Sequence, residues 1–523
     1  MTGAYDAILI GAGHNALASA LHLTAKGWRV GVFEQAAEAG GAVRTGEYTL
    51  PGFRHDFGAM NLSLFAGSPF FRAYGPELMG HGLEFAPVTD TFASVFSDKC
   101  WLGVSTDASV TKARIAAHSA ADAETWSRLL KDFPGEAPQL FGLLGSPMQI
   151  RALTYFMFKM LCAKGLGRSL DMARLLMSSP RDWLNEIFEN DHVRALLGAW
   201  GMHLDFAPDV SGGALFPYLE GMVNQSFGMV IGKGGAATII TALTKAIKAR
   251  GGTVEMNAPV ARILHSGGAA TGVELADGRV FTATKAVIAG VAPSALNRLT
   301  GGTGDTRFDR AMTTFVHAPG TMMIHLAMSD LPDWAAWPEL RRFAYVHLAP
   351  SLDQMAQTYA QAQAGLLPDE PVVVAGQPTA IDPSRAPEGK HVLWLQVRMA
   401  PGAIRGDAKG QIDATDWADA AEPFAERALD ILDRYAPGVR SKILGQRIMT
   451  PVDLEAANPN LVGGDQICGS HHLSQHFLFR PLRGHADGST PIRNLHLTGA
   501  AVWPGAGTGA GSGYLLARKL AGN

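Results

Sequence analysis

Tyr5-Asp-Ala-Ile-Leu-Ile-Gly11-Ala-Gly13-His14-Asn15-Ala16, continued by Leu17 to Lys26, Gly27 and Arg29-Val-Gly-Val-Phe-Glu34, is the stretch that decides the fold. Tyr5 to Ile10 is a short apolar run, as expected of a buried parallel strand. Leu17, Ala20, Leu21 and Leu23 then recur at helical spacing, and Gly27 stops the helix. Arg29 to Phe33 is a second strand, closed by Glu34. This βαβ unit carries GxGxxA at its first turn. Gly11 permits the tight turn, Gly13 removes a side chain where a pyrophosphate must approach the backbone, and Ala16 keeps helix and strand close. His14 and Asn15 stand at the helix start, where free N–H groups and the dipole favour phosphate. Glu34, 21 residues after Gly13 and followed by Gln35, can accept from ribose hydroxyls, which disfavours a cofactor with a 2′-phosphate. A lone glycine triplet is weak evidence; strand, helix, strand and acid in one register are specific.

The chain has 523 residues, 47% hydrophobic and 17% charged, enough for two or three intertwined domains. A net charge of −3 without a long basic run excludes a nucleic-acid binder on electrostatic grounds. Cys100, Cys162 and Cys468 are far apart and form no CxxC. That argues against a disulfide framework, a thioredoxin-like pair and a zinc site, so no metal is expected. The N-terminal stretch reads as a strand rather than a signal peptide, and no apolar run reaches about 18 residues. The expected location is cytoplasmic.

After Glu34 comes Gly40-Gly41-Ala-Val-Arg44-Thr45, whose paired glycines let the chain pass close to a cofactor. Arg44 reads as a phosphate partner, a neighbour of the cofactor's ring system, or a solvent-facing loop residue. This layout resembles the flavin-binding signature of the amine oxidase and phytoene desaturase superfamily, which implies FAD. The resemblance extends to Gly52-Phe-Arg-His-Asp56-Phe-Gly58-Ala59-Met60-Asn61. It implies that 56–61 run past the flavin and that the backbone of Val260 touches the adenine. GAGHNAL looks closest to the branch holding CrtO-type carotenoid ketolases and pyridine nucleotide-disulfide oxidoreductase domain-containing protein 2. Gln475-x4-Arg480-Pro481 resembles an element of that branch. The branch commonly has a histidine where this chain has Cys468, and often one at Trp503. His471, His472 and Gln475 are the candidates for lining the flavin face.

Near the C-terminus, Asn494 to Thr498 is a strand ending at Gly499-Ala500. A glycine loop, Pro504 to Gly513, leads into a closing helix, Tyr514 to Leu520. With no following strand or acid, this is no second nucleotide domain. The loop, with Gly509 and Ala510, is suited to presenting N–H groups to the pyrimidine edge of a flavin. Further sheet material comes from a helix at Ala237 to Arg250, a strand at Thr253 to Met256, hairpin strands Val260 to Leu264 and Gly272 to Leu275 with a turn at Asp277-Gly278, and a strand at Lys285 to Ala289.

The expected fold is α/β. An FAD-binding Rossmann-like domain of amine-oxidase type is assembled from residues 1–70, 225–300 and 450–523. An inserted α+β substrate domain comprises 71–224 and 301–449. Within it, 149–180 interleaves Arg151, Lys159, Lys164, Arg168 and Arg174 with Tyr155, Phe156, Met157, Phe158, Met160 and Leu161. It reads either as a helix on an anionic membrane surface or as helices packed on the core or at a homo-oligomer interface. The expected activity is FAD-dependent desaturation, isomerisation or oxygenation of an apolar isoprenoid, carotenoid or lipid-like molecule. The alternatives are an amine oxidase acting on a small polar substrate and a non-catalytic, flavin-stabilised assembly protein.

Overall fold

In the computed structural model, which describes residues 3–522, the described strands form two seven-stranded sheets and three two-stranded ladders. Met1, Thr2 and Asn523, the outermost residues of the first and last expected segments, lie outside the described residues.

The first sheet forms around Gly3–Ile10, which pairs in parallel with Val30–Phe33 on one side and Val280–Ala289 on the other. Thr253–Glu255 extends it beyond Val30–Phe33, and Leu495–Leu497 joins it beside Val280–Ala289. The start of Val280–Ala289 pairs instead with the hairpin Val260–Ser266 and Ala269–Leu275. Side chains alternate along the central strand. Ala7 and Leu9 pack under the helices His14–Ala25, Thr238–Ala249 and Gly511–Ala521, while Ile8 and Ile10 face the opposite layer with Phe33 and Val287. The first helix begins at His14, earlier than its apolar spacing indicates, because Gly13 adopts an extended conformation as its N-cap.

The second sheet runs Ile443–Met449, Gly320–Met328, His391–Ala400, Val372–Gly376, Tyr345–Leu348, Asp90–Val95 and Trp101–Ser105. The pair Tyr345–Leu348 and Asp90–Val95 is parallel; its other ladders are antiparallel. Leu326, Val373 and Leu395 bury one face against the helix Trp417–Tyr435. The other face, with Trp394 and Tyr345, turns inward toward Phe57 and Met60.

The segment 149–180 forms the helix Ile150–Met177, interrupted at Gly165, whose φ of 74° no α-helix accommodates. Met160 and Ser169 are its buried residues, so it lies on the outside of the protein. Among the described residues no helix is long and apolar enough to cross a membrane.

A buried ion pair joins the turn between Val372–Gly376 and His391–Ala400 to the short ladder Thr45–Gly46 with His55–Asp56. The Arg385 guanidinium, wholly excluded from solvent, meets the Asp56 carboxylate. Asp56 also accepts from Thr45 Oγ1 (2.8 Å) and Ala236 N (2.7 Å). Arg385 donates to Gly232 O (2.7 Å) and to Asp382, which takes Gly234 N at 2.6 Å. Removing one partner of such a pair strands a buried charge. Arg385→Ala is therefore expected to cost about 3–5 kcal/mol in urea unfolding of the holoprotein. Arg174→Ala, at an exposed pair with Glu186, is expected to cost at most about 1 kcal/mol. Equal losses would refute this ranking.

Candidate functional site

The phosphate end of the site is a backbone construction. Gly11 turns the chain at φ 87° while its N–H donates to Phe33 O at 2.8 Å. Gly13 faces open space: a Cβ built there meets nothing within 4 Å. Gly40 N donates to Ala12 O (2.9 Å), and Gly41 approaches Gly13 so closely that its Cβ would lie 3.7 Å from Gly13 Cα. Glu34 is buried and accepts from Ala12 N (2.6 Å) and Ala36 N (2.9 Å). Each of its oxygens keeps a lone pair for a ribose hydroxyl. Ala258 N bonds Glu34 O at 2.8 Å, two residues before Val260. Gln35 is exposed.

The last glycine loop meets the first. Ser19 Oγ donates to Gly513 O (2.8 Å), and a Cβ on Gly513 would fall 1.8 Å from Asn15 O, so only glycine allows this crossing of the first and last helices. His14 Nε2 lies 3.1 Å from Gly507 O. Burial pushes this imidazole down to about 4, so it is neutral at pH 7. Ala16 packs with the helix layer. Ala510 starts the closing helix in the left-handed region at φ 58°, and Gly509 lies against Leu64. Gly499, at φ 111°, has nothing within 4 Å of a built Cβ, while its neighbour Ala500 accepts from Arg480 Nε at 2.8 Å.

Between these ends run residues 58–61. Thr508 Oγ1 donates to Asn61 O (3.2 Å) and Gln396 Nε2 to Gly58 O (3.1 Å), while Ala59 stays partly open and Met60 is buried. Arg44 is not a solvent-facing loop residue. Its guanidinium lies 4.3 Å over the Phe57 ring, and its buried Nε has no partner among the described residues.

Of the three candidate catalytic side chains, one touches the last glycine loop. His471 Nε2 accepts from Ala506 N at 3.0 Å, which places the proton of the neutral ring on Nδ1, a buried atom without a partner among the described residues. His472 turns away, to Asp205 O (2.9 Å) and the Tyr359 hydroxyl (3.2 Å). Gln475 spends its amide on backbone, bonding Val316 N and O at 2.8 Å each and Ser470 O at 3.1 Å. Arg480 is likewise a clamp: its guanidinium donates to the carbonyls of Cys468, Gly469, Ser470 and Ala500.

The sequence reading missed the residues that the second sheet brings to the same interior. Trp394, Gln396 and Arg398 alternate along one strand. Arg398 donates to His203 O at 2.6 Å, and burial lowers its pKa to about 10. Trp394 Nε1, Arg398 Nε and Gln466 Nε2 are buried donors with no partner among the described residues. His14, His203, Glu220 and Cys468 sit deep in the fold yet keep part of their surface accessible. Burial raises the Glu220 carboxyl to about 7, opposed by a hydrogen bond from Asn224. Buried donors left free and glycines opening onto empty space fit an extended cofactor lying between the two glycine loops.

Comparison with known proteins agrees with this geometry. The profile of the family "Flavin containing amine oxidoreductase" matches residues 17–395. Pyridine nucleotide-disulfide oxidoreductase domain-containing protein 2 of Rattus norvegicus is 25% identical, over 99% of this chain and 94% of the relative. Phytoene desaturase (neurosporene-forming) of Cereibacter sphaeroides is 26% identical, over 96% of this chain and 91% of the relative. Among solved structures, cyclohexylamine oxidase from Brevibacterium oxydans superposes with a TM-score of 0.59 at 17% identity, covering 99% of this chain and 98% of that one. The resemblance, the fold class and the cofactor expected from the sequence are met: the cofactor is FAD, and the protein is an enzyme.

Gly13 allows the phosphate end to be tested apart from folding. Gly13→Ala introduces no clash with the protein and is expected to change stability of the flavin-free form by no more than about 1 kcal/mol. Flavin affinity is expected to fall at least about tenfold, a loss of about 1.4 kcal/mol. Flavin content after gel filtration, beside a thermal melt of the apoprotein, checks both; unchanged flavin retention would contradict the assignment.

Proposed function

We propose, since this chain belongs to the flavin-containing amine oxidoreductase family, that it is an FAD-dependent oxidoreductase of long apolar molecules. The substrate class is an isoprenoid, carotenoid or similar lipid, and the net reaction is desaturation, isomerisation or oxygenation. The bound flavin supplies the two-electron acceptor; the chain's task is to hold a C–H bond against it in a dry chamber.

The observation that carries this reading is an apolar cavity of about 260 Å³. Leu140, Phe156, Met160, Met172, Leu473 and Phe477 line it, and Gln139 is its one polar side chain. Its inner wall reaches the glycine loop: the Phe477 ring lies 5.4 Å from that of Trp503, which precedes Pro504. Its outer wall is the helix Ile150–Met177. That helix exposes Tyr155, Phe158, Leu161, Leu166 and Leu170 among Arg151, Lys159, Lys164 and Arg168. Exposed apolar groups within a basic rim support docking on an anionic bilayer, from which a lipid-soluble substrate enters. The similarity to the phytoene desaturase of Cereibacter sphaeroides supports the same substrate class.

A second reading, oxidation of an amine, is favoured by Glu220. Its buried carboxyl, with a pKa raised to about 7, would ionise beside a cationic substrate.

Anaerobic photometry separates the two. Carotenoid precursors presented in phosphatidylglycerol vesicles are expected to bleach the flavin band, and diamines and arylalkylamines to leave it intact. Bleaching by amines but by no lipid would establish the second reading. The holoprotein is also expected to float with those vesicles at low salt, and the double variant Phe158→Asp, Lys159→Glu to remain at the bottom of the gradient. Absence of wild-type flotation would remove the membrane route.

A further inference from the structure

At the edge of the second sheet, residues 96–100 turn the chain between the strands Asp90–Val95 and Trp101–Ser105. Lys99 takes a left-handed conformation (φ 66°), Phe96 N bonds Cys100 O at 3.0 Å, and Cys100 N bonds the Asp98 carboxylate at 3.0 Å. The turn thereby brings Asp98 and Cys100 to one side. Opposite stands His192, in the first turn of the helix Asp191–Gly201, its ring stacked on Phe96 with centroids 4.0 Å apart and planes 16° from parallel. Ligand atoms of Asp98, Cys100 and His192 all lie within 4.8 Å of one another.

The hydrogen bonds behind His192 fix which nitrogen is free. Trp101 O can only accept, so His118 Nε2, 3.0 Å away, carries a proton. His118 Nδ1 lies 3.1 Å from His192 Nδ1 and so turns the other ring nitrogen of His192 toward the turn. His192 Nε2 faces Asp98 Oδ2 at 3.3 Å. A ring nitrogen and a carboxylate oxygen this close, beside a thiol, are placed to share a cation. The spacing suits one: two ligands about 2.0 Å from a tetrahedral Zn²⁺ stand about 3.3 Å apart. A histidine whose second nitrogen donates to a fixed partner is the usual arrangement of a metal ligand.

We propose that Asp98, Cys100 and His192 form a zinc site with His118 as the group that orients His192. The mixed O, S and N donor set favours Zn²⁺ over Mg²⁺ or Ca²⁺. Binding converts the Cys100 thiol to a thiolate and releases its proton to solvent. Asp98 is half exposed, so the fourth position opens to water. The metal pins the edge hairpin to the helix that carries Trp200, and so acts on the wall of the interior cavity from outside it. Sequence spacing hides the site because its ligands come from segments far apart in the chain and share one cysteine.

Titration of chelator-treated, FAD-loaded protein with ZnCl₂ in a calorimeter tests this. One equivalent is expected to bind with a micromolar or tighter Kd. Cys100→Ser and His192→Gln are expected to weaken it at least about a hundredfold, and His118→Gln about tenfold. With CoCl₂ instead, d–d bands of tetrahedral intensity are expected to the red of the flavin absorption. A measurement without variants keeps the test secure. Zn²⁺ is expected to slow iodoacetamide labelling of Cys100 in the native protein, read by peptide mass spectrometry, while labelling of exposed Cys162 is unchanged. Absence of saturable Zn²⁺ binding, binding unaffected by Cys100→Ser and His192→Gln, or equal labelling of Cys100 with and without Zn²⁺ would overturn the proposal. The contact between Asp98 and His192 would then be an ordinary ion pair made by a protonated imidazole.

Discussion

The charge of Arg385 is held where no water reaches it, and the way the second sheet meets the ladder Thr45–Gly46 with His55–Asp56 depends on that. Burying a guanidinium and a carboxylate together is costly, and their attraction repays it only when the remaining hydrogen-bonding capacity is also used. Here it is used, by Thr45, Ala236, Gly232 and Asp382. Thr45 and Asp56 face each other across a short ladder, and residues 58–61 follow directly. The pair therefore sets how the chain passes the interior. It draws together the loop after Val372–Gly376 on one side and the loop before Thr238–Ala249 on the other.

Glycines complete the arrangement by letting backbones approach where any side chain would intrude. Gly513 against the Asn15 carbonyl is the extreme case, and it joins the start of the first helix to the start of the last. Two positive helix ends, from opposite ends of the chain, thus lie close together, an arrangement that suits an anionic cofactor. Arg480 performs the same joining with hydrogen bonds. It ties the segment 468–470 to Ala500 through four carbonyls, which satisfies a guanidinium buried there without an ion pair among the described residues.

The nucleotide half was legible because its signals are local. Strand, turn, helix and acid follow one another within thirty residues, and each obeys a short-range rule. Element starts were misjudged: the first helix begins at His14 rather than at the first leucine, the strand expected from Lys285 begins at Val280, the hairpin strand expected from Gly272 begins at Ala269, and the closing helix expected from Tyr514 begins at Gly511. The substrate half was opaque because its polar groups meet through the fold. Gln396 and Arg398 stand two apart in an otherwise apolar strand, a pattern that marks a face turned toward something polar, yet it names no partner. Glu220 lies in a helix whose neighbours give no hint of its depth. Histidine spacing misled in the opposite sense. His472 and Gln475 sit in the expected segment, but their side chains serve Asp205, Tyr359 and the backbone of Val316.

Burial works against the ionised form of several interior side chains. Burial holds His14 and His347 neutral at pH 7, and pushes His203 and His471 well below the ordinary imidazole value. Arg398 loses part of its basicity, and Glu220 is brought close to neutrality. A hydrocarbon gains about 25 cal/mol for each Å² of apolar surface moved from water into such surroundings. An ammonium group must instead give up hydration, and recovers it only against an ionised partner. With Glu220 itself penalised for ionising, the amine meets two desolvation costs where the hydrocarbon meets none. Hydride removal from an unactivated C–H bond needs proximity to the flavin and exclusion of water more than it needs an acid or base. On the proposed reading, the chain is asked for little from its polar groups beyond holding the substrate in place.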